Sequence, residues 1–168
     1  VRQTLQNSKT NFTIFRIFNT YGPGENLNYL KKGMVSIYIS YLWKNKPILI
    51  KGSIQRYRDF TYILDTVDAL IKAEKNKTIR NQIYCLSSGQ KTFIKDLINL
   101  MLKIFNKNIN YPINVLDGTV GDSFGFHANN DKLKKDLNWT PKYSLKKGLE
   151  YYYEWIKKVP VSNNIENY

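Results

Sequence analysis

Few side chains in this sequence can do chemistry, and they are far apart. Asn19 directly follows an apolar, strand-like run and precedes Pro23-Gly24. That places it at the carboxyl edge where open α/β sheets bind ligands, and its amide can donate to a phosphate or sugar oxygen. The same residue would also serve as a plain turn former. Arg58 offers the planar, two-pronged guanidinium that suits a diphosphate, the alternative being an ion pair with Asp59 or another neighbour. Asp122, after Gly121, can accept from paired hydroxyls or bond its own loop backbone. Arg56 reads as a solvated charge or a second, weaker phosphate contact. The lone His127 counts against a Ser-His-Asp triad or a two-histidine metal site, and the lone Cys85 against a disulfide framework or a zinc site, so both read as structural and no metal is expected.

The 168 residues are 42% hydrophobic and 23% charged, an ordinary balance for one compact unit. Lys plus Arg number 26 against 13 for Asp plus Glu, a formal net charge of +13. Such a surplus raises the possibility of a basic nucleic-acid-binding module, which would bind DNA or RNA with steep salt dependence. However, all but five of the cations are Lys, spread along the whole chain, and the sequence is also rich in Asn, Ile and Tyr, residues read from AT-rich codons. Codon bias therefore accounts for the charge, and no nucleic-acid partner is expected. No apolar run reaches the ~18–20 residues that span a bilayer, and the N-terminus lacks the layout of a signal peptide. A soluble, cytoplasmic protein with no membrane partner is the expectation.

The elements that must position these residues alternate between strand and helix, which gives an α/β class. Residues 12–18 predict a strand buried on both faces. Pro23-Gly24 suits a type II turn, and residues 31–44 have helical spacing up to Pro47. Ile48-Leu49-Ile50 reads as a short strand closed by Gly52. Residues 59–63 look extended, then Asp65 or Thr66 caps a helix to Lys75, with Asp68 in its first turn. Residues 82–86 form a second buried-type strand stopped by Ser87-Ser88-Gly89. Thr92 is expected to cap an amphipathic helix bearing Leu97, Met101 and Ile104. Asp131 opens a short helix to Leu137, and Ser144 caps a last helix to Lys157. The tail, 159–168, is polar and expected to be flexible.

Four blocks in order carry a resemblance: Arg16-Ile-Phe-Asn-Thr-Tyr-Gly-Pro-Gly24, Arg58-Asp-Phe-Thr-Tyr-Ile-Leu-Asp65, Ile83-Tyr-Cys-Leu-Ser-Ser-Gly89, and Gly121-Asp122 followed by Ala128 and Leu137-Asn-Trp139. Together they resemble the C-terminal half of the extended short-chain dehydrogenase/reductases, the NAD-dependent sugar-nucleotide epimerases and dehydratases. The stretch from Asn26 to Ser36 is most similar to the UDP-glucose 4-epimerase branch. The resemblance implies the last strands of a Rossmann-type parallel sheet (11–24 and 59–90) plus a small α/β substrate-binding lobe (25–58 and 91–158). It also implies a reaction by transient oxidation at sugar C4 through a 4-keto sugar, with NAD as hydride carrier. A 4,6-dehydratase of the same family is the near alternative, and a homodimer is expected for the full-length enzyme.

By the same resemblance Arg58 grips the diphosphate, Asn19 contacts phosphate or sugar, and Asp122 holds the ribose hydroxyls. The backbones of Leu49 and Lys51 meet the uracil. Met34 follows Gly33 where the family has Asn-Leu, so only a backbone donor carries over. Phe126 screens the sugar's C2 substituent and favours glucose and galactose over N-acetyl sugars, and Phe18 and Asn19 border the cofactor. The family often has Arg where this chain has Thr119. The family's Gly-x-x-Gly-x-x-Gly loop has no counterpart. Its Tyr-x-x-x-Lys pair occurs only as Tyr143…Lys147 and Tyr153…Lys157, at the wrong end of the chain. Both copies read as coincidences in a sequence with 13 Tyr and many Lys. The sequence is expected to be truncated, with its catalytic pair upstream of Val1 and the fragment alone inactive.

Overall fold

The computed structural model describes residues 2–5, 9–31, 33–118 and 120–160. Its elements, in order, are α1 (Arg2–Leu5), β1 (Thr13–Ile17), β2 (Thr20–Tyr21), α2 (Met34–Trp43), β3 (Ile48–Lys51), β4 (Tyr57–Arg58), β5 (Thr61–Tyr62), α3 (Ile63–Lys75), β6 (Gln82–Leu86), β7 (Thr92–Phe93), α4 (Ile94–Ile104), β8 (Ile113–Leu116), α5 (Asp131–Leu137) and α6 (Leu145–Ile156). The strands join in pairs. β1 runs parallel to β6, from Thr13 opposite Gln82 to Ile17 opposite Leu86. β2 is parallel to β5, β3 to β8, and β4 antiparallel to β7. Parallel pairing requires crossovers, which the helices supply. The α/β class with its parallel pairs follows.

Among the described residues two hydrophobic cores result. The larger gathers α2, β3, α4 and α6 around Ile39, Leu42, Ile48, Ile50, Met101 and Tyr152. The smaller sits on β6, where Tyr84 and Leu86 meet Ala69 of α3, Leu133 and Leu137 of α5, and Trp139. The Trp139 indole donates to the Asp65 carbonyl at 3.2 Å, so this core is closed by a satisfied polar group.

Several local expectations fail for identifiable reasons. β1 is not covered on both faces: Ile17 is 50% exposed. Its β-branched and aromatic residues favour a strand whether or not both faces are packed. Thr92 does not cap α4, because it lies in the β4–β7 ladder opposite Arg58. Phe93 takes the N-cap position without a side-chain bond. The orphan N–H groups of Ile94 and Lys95 donate instead to the carbonyls of Arg56 and Ile54, at 2.9 and 3.0 Å. α3 begins at Ile63, which puts Asp65 in the first turn and Asp68 beyond it. The Asp65 carboxylate accepts from the backbone N–H of Lys142 and Tyr143, at 2.8 and 3.1 Å. Asp68 pairs with Lys72 and Lys142. These acids staple the chain before α6 rather than cap a helix. Asp131 follows the N-cap position, held by Asn130. Ser144 caps α6 as expected, accepting from Lys147 N–H at 3.2 Å. Of the tail, residues 161–168 lie outside the described residues, as does Thr119.

Gly148 of α6 lies against the Tyr21 hydroxyl and the Tyr62 ring, in the space a Cβ would fill. Gly148→Ala is therefore expected to lower stability by about 1–3 kcal/mol despite alanine's better helix propensity. Urea unfolding checks this, and a gain in stability would show that α6 can slide off the Tyr21 hydroxyl.

Candidate functional site: a cavity walled by two buried arginines

The site is built on one corner. Asn19, just past β1, adopts positive φ and donates its amide to the Asp59 carbonyl at 2.8 Å. Asp59 is fully buried. Its Oδ1 accepts from the Ser88 N–H and hydroxyl at 2.9 and 2.6 Å. Its Oδ2 accepts from the Gly89 and Ala128 N–H at 3.0 and 3.4 Å. One carboxylate thereby ties the end of β4 to the turn after β6 and to the loop at 128. The Arg58–Asp59 ion pair that the sequence left open does not form. Among the described residues Asp59 accepts only from neutral donors.

With Asp59 fixed, Arg58 points the other way. It is 4% exposed and stands 4.7 Å over the Phe126 ring. Its Nη1 donates to the carbonyls of Tyr57 and Phe124 at 2.9 and 3.3 Å. Its Nη2 donates to Asp122 Oδ1 at 2.8 Å and to the Ser123 carbonyl at 2.9 Å. All four terminal N–H groups are engaged, which leaves Nε–H.

Arg56, which the sequence leaves as a solvated charge or a second phosphate contact, is 6% exposed, so the solvated reading fails. Nη1 bonds Asp122 Oδ2, Nη2 bonds the Lys51 carbonyl, and Nε donates to the Ser53 carbonyl at 3.1 Å. Gly52, at φ +82, allows this approach, since a Cβ there would stand 3.1 Å from the guanidinium carbon. Burial of two guanidiniums is tolerable because one carboxylate and several carbonyls receive them.

These groups form one wall of a cavity of about 890 Å³. Asn19, Arg58, Asp122, Leu49, Lys51, Met34 and Phe126 all border it. Phe18 does not. Its ring meets Phe126 edge-on with centroids 5.7 Å apart, and its N–H donates to the Leu86 carbonyl. Arg56, Gly33, Leu30, Ile37, Tyr38, Tyr41 and Leu116 complete the lining, and the last five are not anticipated as site residues. Ile37, Tyr38 and Tyr41 fall on α2, in the segment whose helical spacing is legible in the sequence. Leu116 belongs to β8, a strand the sequence reading passed over. Among the described residues, Arg56, Arg58 and Lys51 set three cations against the one carboxylate of Asp122. The cavity thus pairs a cationic wall with apolar and aromatic walls, an arrangement suited to an anionic ligand with an uncharged remainder.

The two Tyr-x-x-x-Lys strings lie elsewhere. Tyr143 packs on Tyr62 at 4.8 Å, and Lys147 stands over Tyr151. Tyr153 packs on Phe105 at 4.6 Å with Lys157 over its ring. His127 lies beside Tyr57, with ring centroids 6.2 Å apart, and Cys85 is half-buried in β6. No described helix is long and apolar enough to cross a membrane.

Comparison with known proteins bears on the family and the fold. The family model for the NAD dependent epimerase/dehydratase family matches residues 1–86. The dTDP-L-rhamnose 4-epimerase of Burkholderia thailandensis is 28% identical over 151 residues, 89% of this chain and 40% of that protein. The UDP-glucose 4-epimerase of Thermotoga maritima, solved with UDP-glucose, matches with a TM-score of 0.84 at 26% identity, over 92% of this chain and 48% of that one. The UDP-glucuronic acid 4-epimerase of Bacillus cereus, solved with UDP-glucuronic acid and NAD, gives 0.83 at 28% identity, again over 92% and 48%. The chain spans less than half the length of these relatives.

Proposed function

Because the chain belongs to the NAD-dependent epimerase/dehydratase family, we propose that its cavity is the sugar-nucleotide site of a UDP-sugar 4-epimerase of the UDP-glucose/UDP-galactose type. The observation that carries the reading is the pair of buried guanidiniums sharing one carboxylate on the cavity wall. A sugar nucleotide carries one negative charge on each phosphorus, and this wall has cations in excess of its acid. In this reading the incoming diphosphate takes over Arg58 donors now held by Asp122 and the loop carbonyls. The released Asp122 then accepts from the ribose hydroxyls. Asn19 has one amide N–H left for a phosphate or sugar oxygen, and the Leu49 and Lys51 backbone lies along the base. Met34 adds apolar wall, and Phe126 limits the space beside sugar C2.

The contribution of these residues to turnover is placement. Fixing sugar C4 against a hydride acceptor can lower a barrier by roughly 7–11 kcal/mol. In the family NAD supplies the hydride exchange. Of this chain's residues, Phe18 and Asn19, at the carboxyl end of β1, fit one edge of that cofactor through a ring and an amide. A homodimer is the assembly we propose for the whole enzyme.

Calorimetric titration of the chain tests the assignment. UDP-glucose and UDP-galactose are expected to bind saturably and alike, because C4 stereochemistry lies beyond the anchored diphosphate. UDP-N-acetylglucosamine should bind more weakly because of Phe126. No saturable binding of any UDP-sugar would refute the proposal.

A further inference from the structure

Tyr38 occupies the middle of α2, is 3% exposed and lines the cavity. Its ring is part of the larger core, a role phenylalanine would fill equally well. The hydroxyl is what needs explaining. The buried hydroxyls of Tyr21, Tyr84 and Tyr152 reach Leu145 O, Asp136 Oδ2 and Ser36 Oγ respectively. That of Tyr38 has no hydrogen-bond partner among the described residues. It is not sealed from water either, since the sealed side-chain atoms without a hydrogen-bond partner among the described residues belong to Glu25, Thr61 and Asp68. It therefore opens onto the cavity and is available to something bound there.

Its surroundings indicate what that is. Tyr38 lies within electrostatic reach of Arg56, Arg58 and Asp122, the charged wall of the cavity. Burial pushes its phenol up to about 12, against the pull of the two guanidiniums, so the hydroxyl keeps its proton and acts as a donor near neutrality. The arginines beside it have spent most of their own N–H groups on Asp122 and on carbonyls.

We propose that the Tyr38 hydroxyl is a ligand-binding group of the cavity, donating a hydrogen bond to a diphosphate oxygen of the bound sugar nucleotide. This rests on the sugar-nucleotide reading of the cavity. The bond is charge-assisted and adds no charge, so it strengthens the grip on the diphosphate without further cation repulsion on the wall.

Titrating the chain and its Tyr38→Phe variant with UDP-glucose, inorganic pyrophosphate and uridine tests this. The variant keeps the ring, so its urea midpoint should match the parent's. Its affinity for UDP-glucose and for pyrophosphate is expected to fall about tenfold to hundredfold, the range for a hydrogen bond to a charged group, with uridine binding unchanged. Unchanged affinity for UDP-glucose in Tyr38→Phe, while the parent binds it, would overturn the hydroxyl assignment and leave the cavity reading standing. An equal loss for uridine would also overturn it, by moving the contact to the nucleoside. A parent chain that fails to bind UDP-glucose would remove the cavity reading and this inference together. If Tyr38→Phe lowers the urea midpoint, Tyr38→Leu serves as the ringless comparison. Equal affinities in the two variants would then assign the loss to the hydroxyl, and a further loss confined to Tyr38→Leu with Tyr38→Phe at parental affinity would overturn the proposal.

Discussion

Arg58→Ala is expected to weaken UDP-glucose binding about thirtyfold to several thousandfold. Truncating one partner of a buried, hydrogen-bonded charge pair costs about 2–5 kcal/mol, each 1.4 kcal/mol being tenfold. Arg58 belongs in that class because it is nearly sealed from water and clamped on both terminal nitrogens. Its removal takes away a phosphate donor and the group that holds Asp122, Ser123 and Phe124 in place. Arg58→Lys separates these effects. A lysine keeps the charge and loses the fork, so it should recover part of the affinity and little of the loop order. Lys134, which is half-buried, pairs with Asp131 on α5 and does not border the cavity, is the control: Lys134→Ala should leave binding unchanged. Calorimetry on the four proteins decides. Arg58→Ala binding UDP-glucose as the parent does would end the case for the guanidinium.

The largest effect on stability is expected at the neighbouring position. Asp59→Ala strands four donors, the N–H groups of Ser88, Gly89 and Ala128 and the Ser88 hydroxyl. An orphaned buried donor costs about 1–3 kcal/mol, and losses in one network do not simply add. A net loss of about 3–5 kcal/mol is expected, a large part of the ~5–15 kcal/mol that keeps a domain folded. Asp59→Asn keeps one acceptor oxygen and should lose roughly half as much. Equilibrium urea unfolding with a shared m-value measures both. A shift of under about 1 kcal/mol in Asp59→Ala would mean that water or a rearranged loop satisfies the donors, and that the corner is not held by Asp59.

Much of the framework can be read from the residues, for a physical reason. β6 and the amphipathic face of α4 are specified locally, by a short apolar and aromatic run and by helical spacing, and both elements form where read. Ser144 is similarly local, since the cap and the N–H it receives are three residues apart. Thr92 misleads because its local propensity to cap competes with a ladder to Arg58, and the ladder wins with tertiary carbonyls replacing the cap. Asp65 and Asp68 mislead in the same way: their partners in the segment before α6 lie more than seventy residues away. β8 is four residues long with every residue exposed, so it has no burial pattern to show.

The candidate site divides along the same line. Asn19, Arg58 and Asp122 have residue types that suggest their chemistry, and the fold brings them to one cavity. The solvated reading of Arg56 fails because a charged side chain in isolation implies solvent. Its burial depends on Asp122, more than sixty residues later, and on the room Gly52 gives it. Tyr38 was hidden for the opposite reason. It falls in phase with the apolar face of α2, so helical spacing assigns it to the core, and only the tertiary structure puts both arginines within its reach.

A crystal structure of this chain with UDP-glucose tests the central claim most directly. The predicted result is a diphosphate lying on the Arg58 guanidinium inside the cavity, with Asp122 turned from it toward the ribose. A nucleotide bound at another face, with Arg58 still holding Asp122, would contradict the account.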